Sequence, residues 1–215
     1  TIPLFGLSCL FLGLVSLYFS AGSHGLRLFL WYLTQPMVLT LNLLPYLLLG
    51  LLLLALTGRS WLAFGLDAAV CLFFSWAQFW KLMARSDPIY AEDLLILAEA
   101  QQMAGQYIQL TPAILCSAVA AVALTWALWF FRSRPLKPLP RLSLAAAVVA
   151  LALWLSPNVY TSGRVYNSLK VWPKLNQWID TNRYISRGGI YPFIHSIPDA
   201  LPTPPEGYDE AAALA

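Results

Sequence analysis

The sequence predicts an all-α membrane protein, with five transmembrane helices, a helix on an outer loop and an extracellular tail carrying an interfacial helix. Three observations predict it. Of the 215 residues, 59% are hydrophobic and 11% charged, with a mean hydropathy of +0.65, whereas soluble domains carry about 25% charged residues. Five apolar runs meet or approach the roughly 20 residues that cross a hydrocarbon core as a helix. A connection with four basic residues and no acid lies between the fourth and fifth runs, where it can set orientation. The small formal charge of +3 and the absence of a basic stripe argue against nucleic acid as a partner.

The runs are residues 2–20, 37–56, 61–80, 111–131 and 142–156. The first is too long and too apolar for an ordinary signal peptide, and no small-residue cleavage site follows it, so it counts as a span. The fifth is short, and Arg141 at its start can snorkel and lengthen its reach. The basic connection RSRPLKPLPR (132–141), stiffened by its prolines, is expected to be cytoplasmic. That places TGRS (57–60) on the same side. Residues 21–36, 81–110 and everything after Ser156 then lie outside. The chain divides into a membrane domain, 1–156, and an extracellular juxtamembrane linker, 157–215.

The stretch KLMARSDPIYAEDLLILAEAQ (81–101) concentrates two basic and four acidic residues at one membrane surface. Asp87 followed by Pro88 is expected to start a helix, with Asp87 as its cap and Gly105 as its end. Lys81, Arg85, Asp87, Glu92 and Asp93 can line a polar niche at the outer leaflet. The cations there suit an anionic phosphate, Arg through its bidentate fork, and the carboxylates suit hydroxyls or a basic surface. The same charges can equally cap helices and solvate a loop. In the tail, WPKLNQWID puts Trp172, Leu175, Trp178 and Ile179 on one helical face, which reads as the interfacial helix. PDALPTPPEGY reads as a Pro-rich linker.

Inside the third span, Asp67 is costly to bury. It is expected to hydrogen-bond Asn42 or a hydroxyl across helices, or to stay protonated, as a polar clamp; a proton or ion relay is the alternative. Cys9, Cys71 and Cys116 sit inside apolar runs with no CxxC pair and read as packing residues. His24 and His195 are isolated and read as interfacial and packed side chains. No metal site is expected in this chain.

The stretch FSWAQFWKLMARSDPIYAEDLLILAE (74–99) resembles the outer-loop signature of the lipoteichoic acid synthase family, on Gln78, Arg85, Pro88 and Asp93-Leu94. A second stretch, NRYISRGGIYPFIHSIPDALPTPPEGYDEAA (182–212), is similar to that family's segment after its fifth span. There Gly189-Ile190-Tyr191 and Phe193 stand in for an aromatic block closed by Pro205 to Tyr208, with Gly188 where an Asn is usual. The resemblance implies that an extracellular sulfatase-like domain, related to alkaline phosphatase, follows such a tail. With a Thr nucleophile and a divalent metal, typically manganese, that domain would transfer glycerol phosphate from phosphatidylglycerol to a growing polymer. This chain would then be the membrane anchor and lipid-facing module in a bacterial cell membrane, with no catalytic residue or cofactor of its own. The implied partners are phosphatidylglycerol, the enzyme's own catalytic domain, and further copies or cell-envelope synthesis proteins.

Two other classes stay open at this level. A small transporter or flippase-like protein would need a polar path, for which only Asp67 and Asn42 are candidates, and neither repeats nor broken-helix pairs are evident. A regulatory or assembly partner would act through the outer loop and tail. At the end of the chain, Ala213 and Ala215 flank Leu214 in the small-x-small pattern that signal peptidase reads; DEAAALA also suits the start of a helix. The topology makes a direct prediction. A cysteine placed at Ser133 should react with a membrane-impermeant reagent only after permeabilisation, and labelling in intact cells would reverse the assignment of sides.

Overall fold

Among the described residues, four helices are long and apolar enough to cross a membrane: Pro3–Ser20, Pro36–Thr57, Ser60–Arg85 and Pro138–Thr161. The structure is a computed structural model that describes residues 2–21, 24–95, 137–169 and 178–200. Among the described residues it is all-helical. The helices are α1 (Ile2–Ser20), α2 (Gly25–Thr34), α3 (Pro36–Thr57), α4 (Ser60–Arg85), α5 (Pro138–Leu155), α6 (Arg164–Ser168), α7 (Asp180–Arg187) and α8 (Tyr191–His195). A short 3₁₀ turn covers Ala91–Leu94, and a π turn, Ser156–Thr161, prolongs α5. The four long helices take up the first, second, third and fifth apolar runs; the fourth, 111–131, lies outside the described residues. Two boundaries move. α4 continues past residue 80, through Lys81 to Arg85. α5 starts at Pro138 because prolines are tolerated in a first turn, whose N–H groups lack helical partners anyway. Arg141 therefore lies within the helix.

α1, α3 and α4 pack on one another, and α5 packs against α3. Phe5, Leu12, Tyr46, Phe64 and Leu72 fill the three-helix core, where the rings of Phe5 and Phe64 meet edge to face at 6.5 Å. The three helices approach closely at Gly50. A Cβ there would lie 2.5 Å from Cys9 Sγ and 2.8 Å from Asp67 Oδ2, so the missing side chain is what admits both neighbours.

Two polar contacts, one near each end, tie α5 to α3. Pro45 lies inside α3 and has no N–H, so the Leu41 carbonyl, four residues earlier, loses its helical donor. Tyr160, on the π turn, supplies a replacement: its hydroxyl donates to Leu41 O at 2.6 Å. At the other end, the last carbonyls of α3 have no partner within the helix. Arg141 Nε donates to Ala55 O at 2.9 Å, and Nη2 donates to Leu56 O. Gly58 ends α3 in the left-handed region (φ 68°), and a Cβ there would meet the Arg141 guanidinium at 2.8 Å. The snorkelling expected of Arg141 thus takes the form of a helix-end cap.

The tail folds back on the end of the bundle where α1 finishes and α3 begins. Gly188 has φ 119°, which favours glycine, and a Cβ there would overlap the Asn42 carboxamide; one on Gly189 would overlap the Ser20 side chain. Tyr160, Tyr166, Tyr191, Val159 and Leu155 form a buried cluster with Leu41 of α3. The fully buried Tyr32 of α2 donates its hydroxyl to Ile185 O. α2 lies where the sequence indicated only a loop, and it leaves Leu26, Leu30 and Leu33 exposed along one face. The interfacial helix expected around 172–179 falls mostly outside the described residues; Trp178 and Ile179 are exposed just before α7.

The Pro45–Tyr160 pairing can be measured. Tyr160→Phe should destabilise the solubilised protein by about 1 kcal/mol, the scale of an interhelical hydrogen bond in a membrane protein. In a Pro45→Ala background, where the helix regains its N–H, the same change should cost close to nothing. Additive losses in thermal unfolding would show that the phenol does not serve the carbonyl that the proline frees.

Candidate functional site

The charged loop begins where α4 ends. Ser86, at φ 56°, closes the helix in the left-handed region, and Thr181 Oγ1 donates to its carbonyl at 2.9 Å. Asp87 does not cap a helix, contrary to the sequence expectation. Residues 87–90 are non-helical, and the first turn begins only at Ala91. The physical reason is local. A residue before proline is biased away from helical conformation, and the Lys81 ammonium holds the following segment. Lys81 Nζ donates to Pro88 O at 2.7 Å and to Asp93 Oδ2 at 2.7 Å, and lies 3.5 Å from Asp87 Oδ2. It also stands 5.0 Å from the Tyr90 ring centroid. Asp93 Oδ2 accepts the Tyr90 N–H at 2.7 Å, so the capping carboxylate is Asp93. One helical turn below Lys81, the buried Gln78 accepts the Ile89 N–H on Oε1 at 2.7 Å, while its Nε2 has no partner among the described residues.

The structure therefore brings Gln78, Lys81, Asp87 and Asp93 together as an internal tie between the end of α4 and its loop. It leaves Arg85 and Glu92 exposed. Lys81 is spent on two carboxylates and a carbonyl, so the loop's outward cation is Arg85. Burial, and then the neighbouring Asp87 carboxylate, push the Tyr90 phenol to a higher pKa, which keeps it neutral against Tyr184 at 5.9 Å.

Within the bundle, Asp67 is fully buried. The Cys71 thiol donates to its Oδ1 at 3.3 Å, and Cys9 and Gly50 close the other side. Its partner is a thiol of its own helix and not Asn42. Gly50, which Asp67 faces, lies eight residues along α3 from Asn42, a rise of about 12 Å. Asn42 instead donates to Val38 O at 2.9 Å and turns its oxygen toward Gly188. Cys9 and Cys71 are buried and unbridged; Cys116, Ala213 and Ala215 lie outside the described residues.

One cluster escaped the sequence reading. Arg187 Nη1 donates to Tyr191 OH at 2.6 Å, and Nη2 donates to Asn167 Oδ1 at 2.7 Å. The His195 ring stacks on Tyr191 at 5.1 Å, and its Nδ1 lies 3.0 Å from Tyr160 O. Burial raises the Tyr191 pKa, and Arg187 opposes the rise. The only signal in the sequence was the spacing Arg187, Tyr191, His195, interrupted by two glycines.

Among the described residues no three His, Cys, Asp or Glu side chains are placed to hold a metal ion. Compared with known proteins, the chain matches no family model, no curated protein and no solved structure.

The tie predicts energetic coupling. Lys81→Met and Asp93→Ala should each destabilise the protein, and together by less than their sum, with a coupling of about 1–2 kcal/mol for contacting charges. These side chains keep 15% and 25% of their exposure, so the coupling should fall short of that of a dry ion pair. A double-mutant cycle in detergent unfolding measures it, and strict additivity would mean the contact contributes nothing.

Proposed function

We propose that this chain is the membrane anchor and lipid-facing module of a lipoteichoic acid synthase-like enzyme. In this reading the enzyme transfers glycerol phosphate from phosphatidylglycerol to a cell-envelope polymer in a bacterial cell membrane. The observation that carries the reading is a convergence. The two stretches on which the resemblance rests are about a hundred residues apart in sequence, and they meet in the folded chain. The Ala91 N–H donates to Ser196 Oγ at 2.7 Å, and Tyr90 packs edge-on against Tyr184. Such a union gives the tail a fixed seat beside the charged loop, as a module would need if it delivered a lipid headgroup to a domain carried by that tail.

The reading includes five crossings and an extracellular tail. α4 ends at the tail side, whereas α5 begins at the opposite side, where Arg141 meets the end of α3. That arrangement supports an odd number of crossings between them, and in this reading the apolar run 111–131 is the fifth span. The Thr nucleophile and the metal would belong to the domain after the tail. This chain's own share is anchoring, and presenting Arg85 at headgroup level, where its fork suits a phosphate. A transport path is less well supported: Asp67 is closed in by Cys9, Cys71 and Gly50, well away from Asn42.

The test uses the full-length protein and labelled phosphatidylglycerol. Labelled glycerol phosphate should pass into polymer. Arg85→Ala should reduce synthesis several-fold with the membrane level unchanged, whereas Asp93→Ala should lower both by freeing the loop. Absence of any transfer, or normal synthesis in Arg85→Ala, would sink the proposal.

A further inference from the structure

An apolar groove of about 310 Å³ runs between α3 and α5. Leu49 and Leu52 form one wall and Val149 and Ala152 the other, with Tyr160 and Ile194 at the tail end. Its origin is physical. α5 is tied to α3 by polar contacts at Arg141 and at Tyr160, and Pro45 faces the space between them. An almost wholly apolar lining gives water no partners, and both walls belong to helices long and apolar enough to cross a membrane, so an acyl chain suits its open side.

Beyond the tail end of the groove, a chain of contacts leads from its lining residues Tyr160 and Ile194 to a cation. The carbonyl of Tyr160 lies 3.0 Å from His195 Nδ1, and His195 follows Ile194 in sequence. Tyr191 stacks on that ring and accepts from Arg187, which is held in turn by Asn167. Among the described residues no carboxylate pairs with Arg187; the ion pairs there belong to Lys81 and Arg183. A half-buried guanidinium with two of its five donors fixed and no carboxylate partner among the described residues suits an anion. The π turn that places Tyr160 at this junction is a local irregularity of a kind frequent at functional sites.

We propose that the groove holds an acyl chain of an anionic glycerophospholipid whose phosphate is drawn to Arg187 beneath the tail. The proposal deepens the lipid-facing role above and rests on it, but its test does not use polymer synthesis. The purified chain is placed in phosphatidylcholine nanodiscs with a trace of photoactivatable-acyl phosphatidylglycerol or, separately, photoactivatable-acyl phosphatidylcholine, and the adducts are mapped by mass spectrometry. Adducts should concentrate at Leu49, Leu52, Val149 and Ala152, with the anionic probe several-fold ahead. Ala152→Phe should fill the groove and remove those adducts. Leu66→Phe, on the exposed face of α4, should leave them unchanged and serves as the folding control. Arg187→Gln should abolish the preference for the anionic probe while groove adducts persist. Adducts spread evenly over Leu66, Phe73 and the groove, and insensitive to Ala152→Phe, would overturn the proposal. So would a disulfide between a cysteine at Val149 and one in 111–131, since the chain itself would then be the occupant. Polymer synthesis that survives Ala152→Phe in the full-length protein, with the adducts lost, would leave the site standing and separate it from the enzymatic reading.

Discussion

The carbonyl of Leu41 has no donor within its own helix, and the arrangement of the tail follows from how that vacancy is met. In a hydrocarbon medium an unpaired backbone group costs several kcal/mol, so a proline inside a spanning helix demands an outside donor. Here the donor is the phenol of Tyr160. To bring it to α3, α5 must end in a π turn beside Leu41, and that turn delivers the tail to the same place. Tyr166 and Tyr191 then stack around Tyr160, and Gly188 comes down on Asn42, one residue beyond Leu41. A sequence feature usually read as a kink acts in this chain as an address for a segment more than a hundred residues away.

The opposite end obeys the same constraint with a charged donor. Arg141 caps the last carbonyls of α3 and also keeps its guanidinium where the helix dipole is negative. α5 is thus fixed at both ends by backbone-directed contacts as well as by packing along α3, and its other flanks are largely exposed among the described residues. By contrast, α1, α3 and α4 are held by close packing around small residues at Gly50 and by aromatic contact at Phe5 and Phe64. The bundle therefore combines a three-helix core with a fourth helix packed along α3, and the groove lies between those two.

Four of the five expected spans were legible in the sequence because length and hydropathy are one-dimensional quantities. What was not legible depends on pairing. The run 81–101 announced its charge but not that Lys81 would be neutralised by Asp93, twelve residues on, because nothing in the spacing shows that Pro88 turns the chain back. Asp87 before Pro88 looked like a helix start; the bias against helix before proline and the pull of Lys81 decided otherwise. α2 was missed because its apolar face merges with the hydrophobic background on either side, and Tyr32 finds its acceptor at Ile185, which no local pattern signals. Asp67 is buried within α4, and its partner is a thiol one turn away, a pairing that i, i+4 spacing on α4 could have suggested.

Asp67 also bears on how the core tolerates polarity. Along α4, Asp67, Cys71, Ser75 and Gln78 share one buried face, and along α3, Asn42, Tyr46 and Gly50 share another. Most of these side chains turn back to their own helix or its adjoining loop: Ser75 to Cys71 O, Asn42 to Val38 O, Cys71 to Asp67, Gln78 to Ile89. A polar face satisfied chiefly at home can pack against another without demanding a unique cross-helix register, so the seam tolerates small residues and close approach where hydrophobic side chains would hold the helices apart. Directional specificity comes from bonds that cross between elements, and several of these reach backbone groups: Tyr160, Arg141, Tyr32, Ser196 and Thr181 each pair with a carbonyl or an N–H. Arg187 adds a side-chain partner in Asn167. Among the described residues the fold is thus keyed in large part to backbone position, as a medium that leaves no unpaired backbone group unpenalised requires.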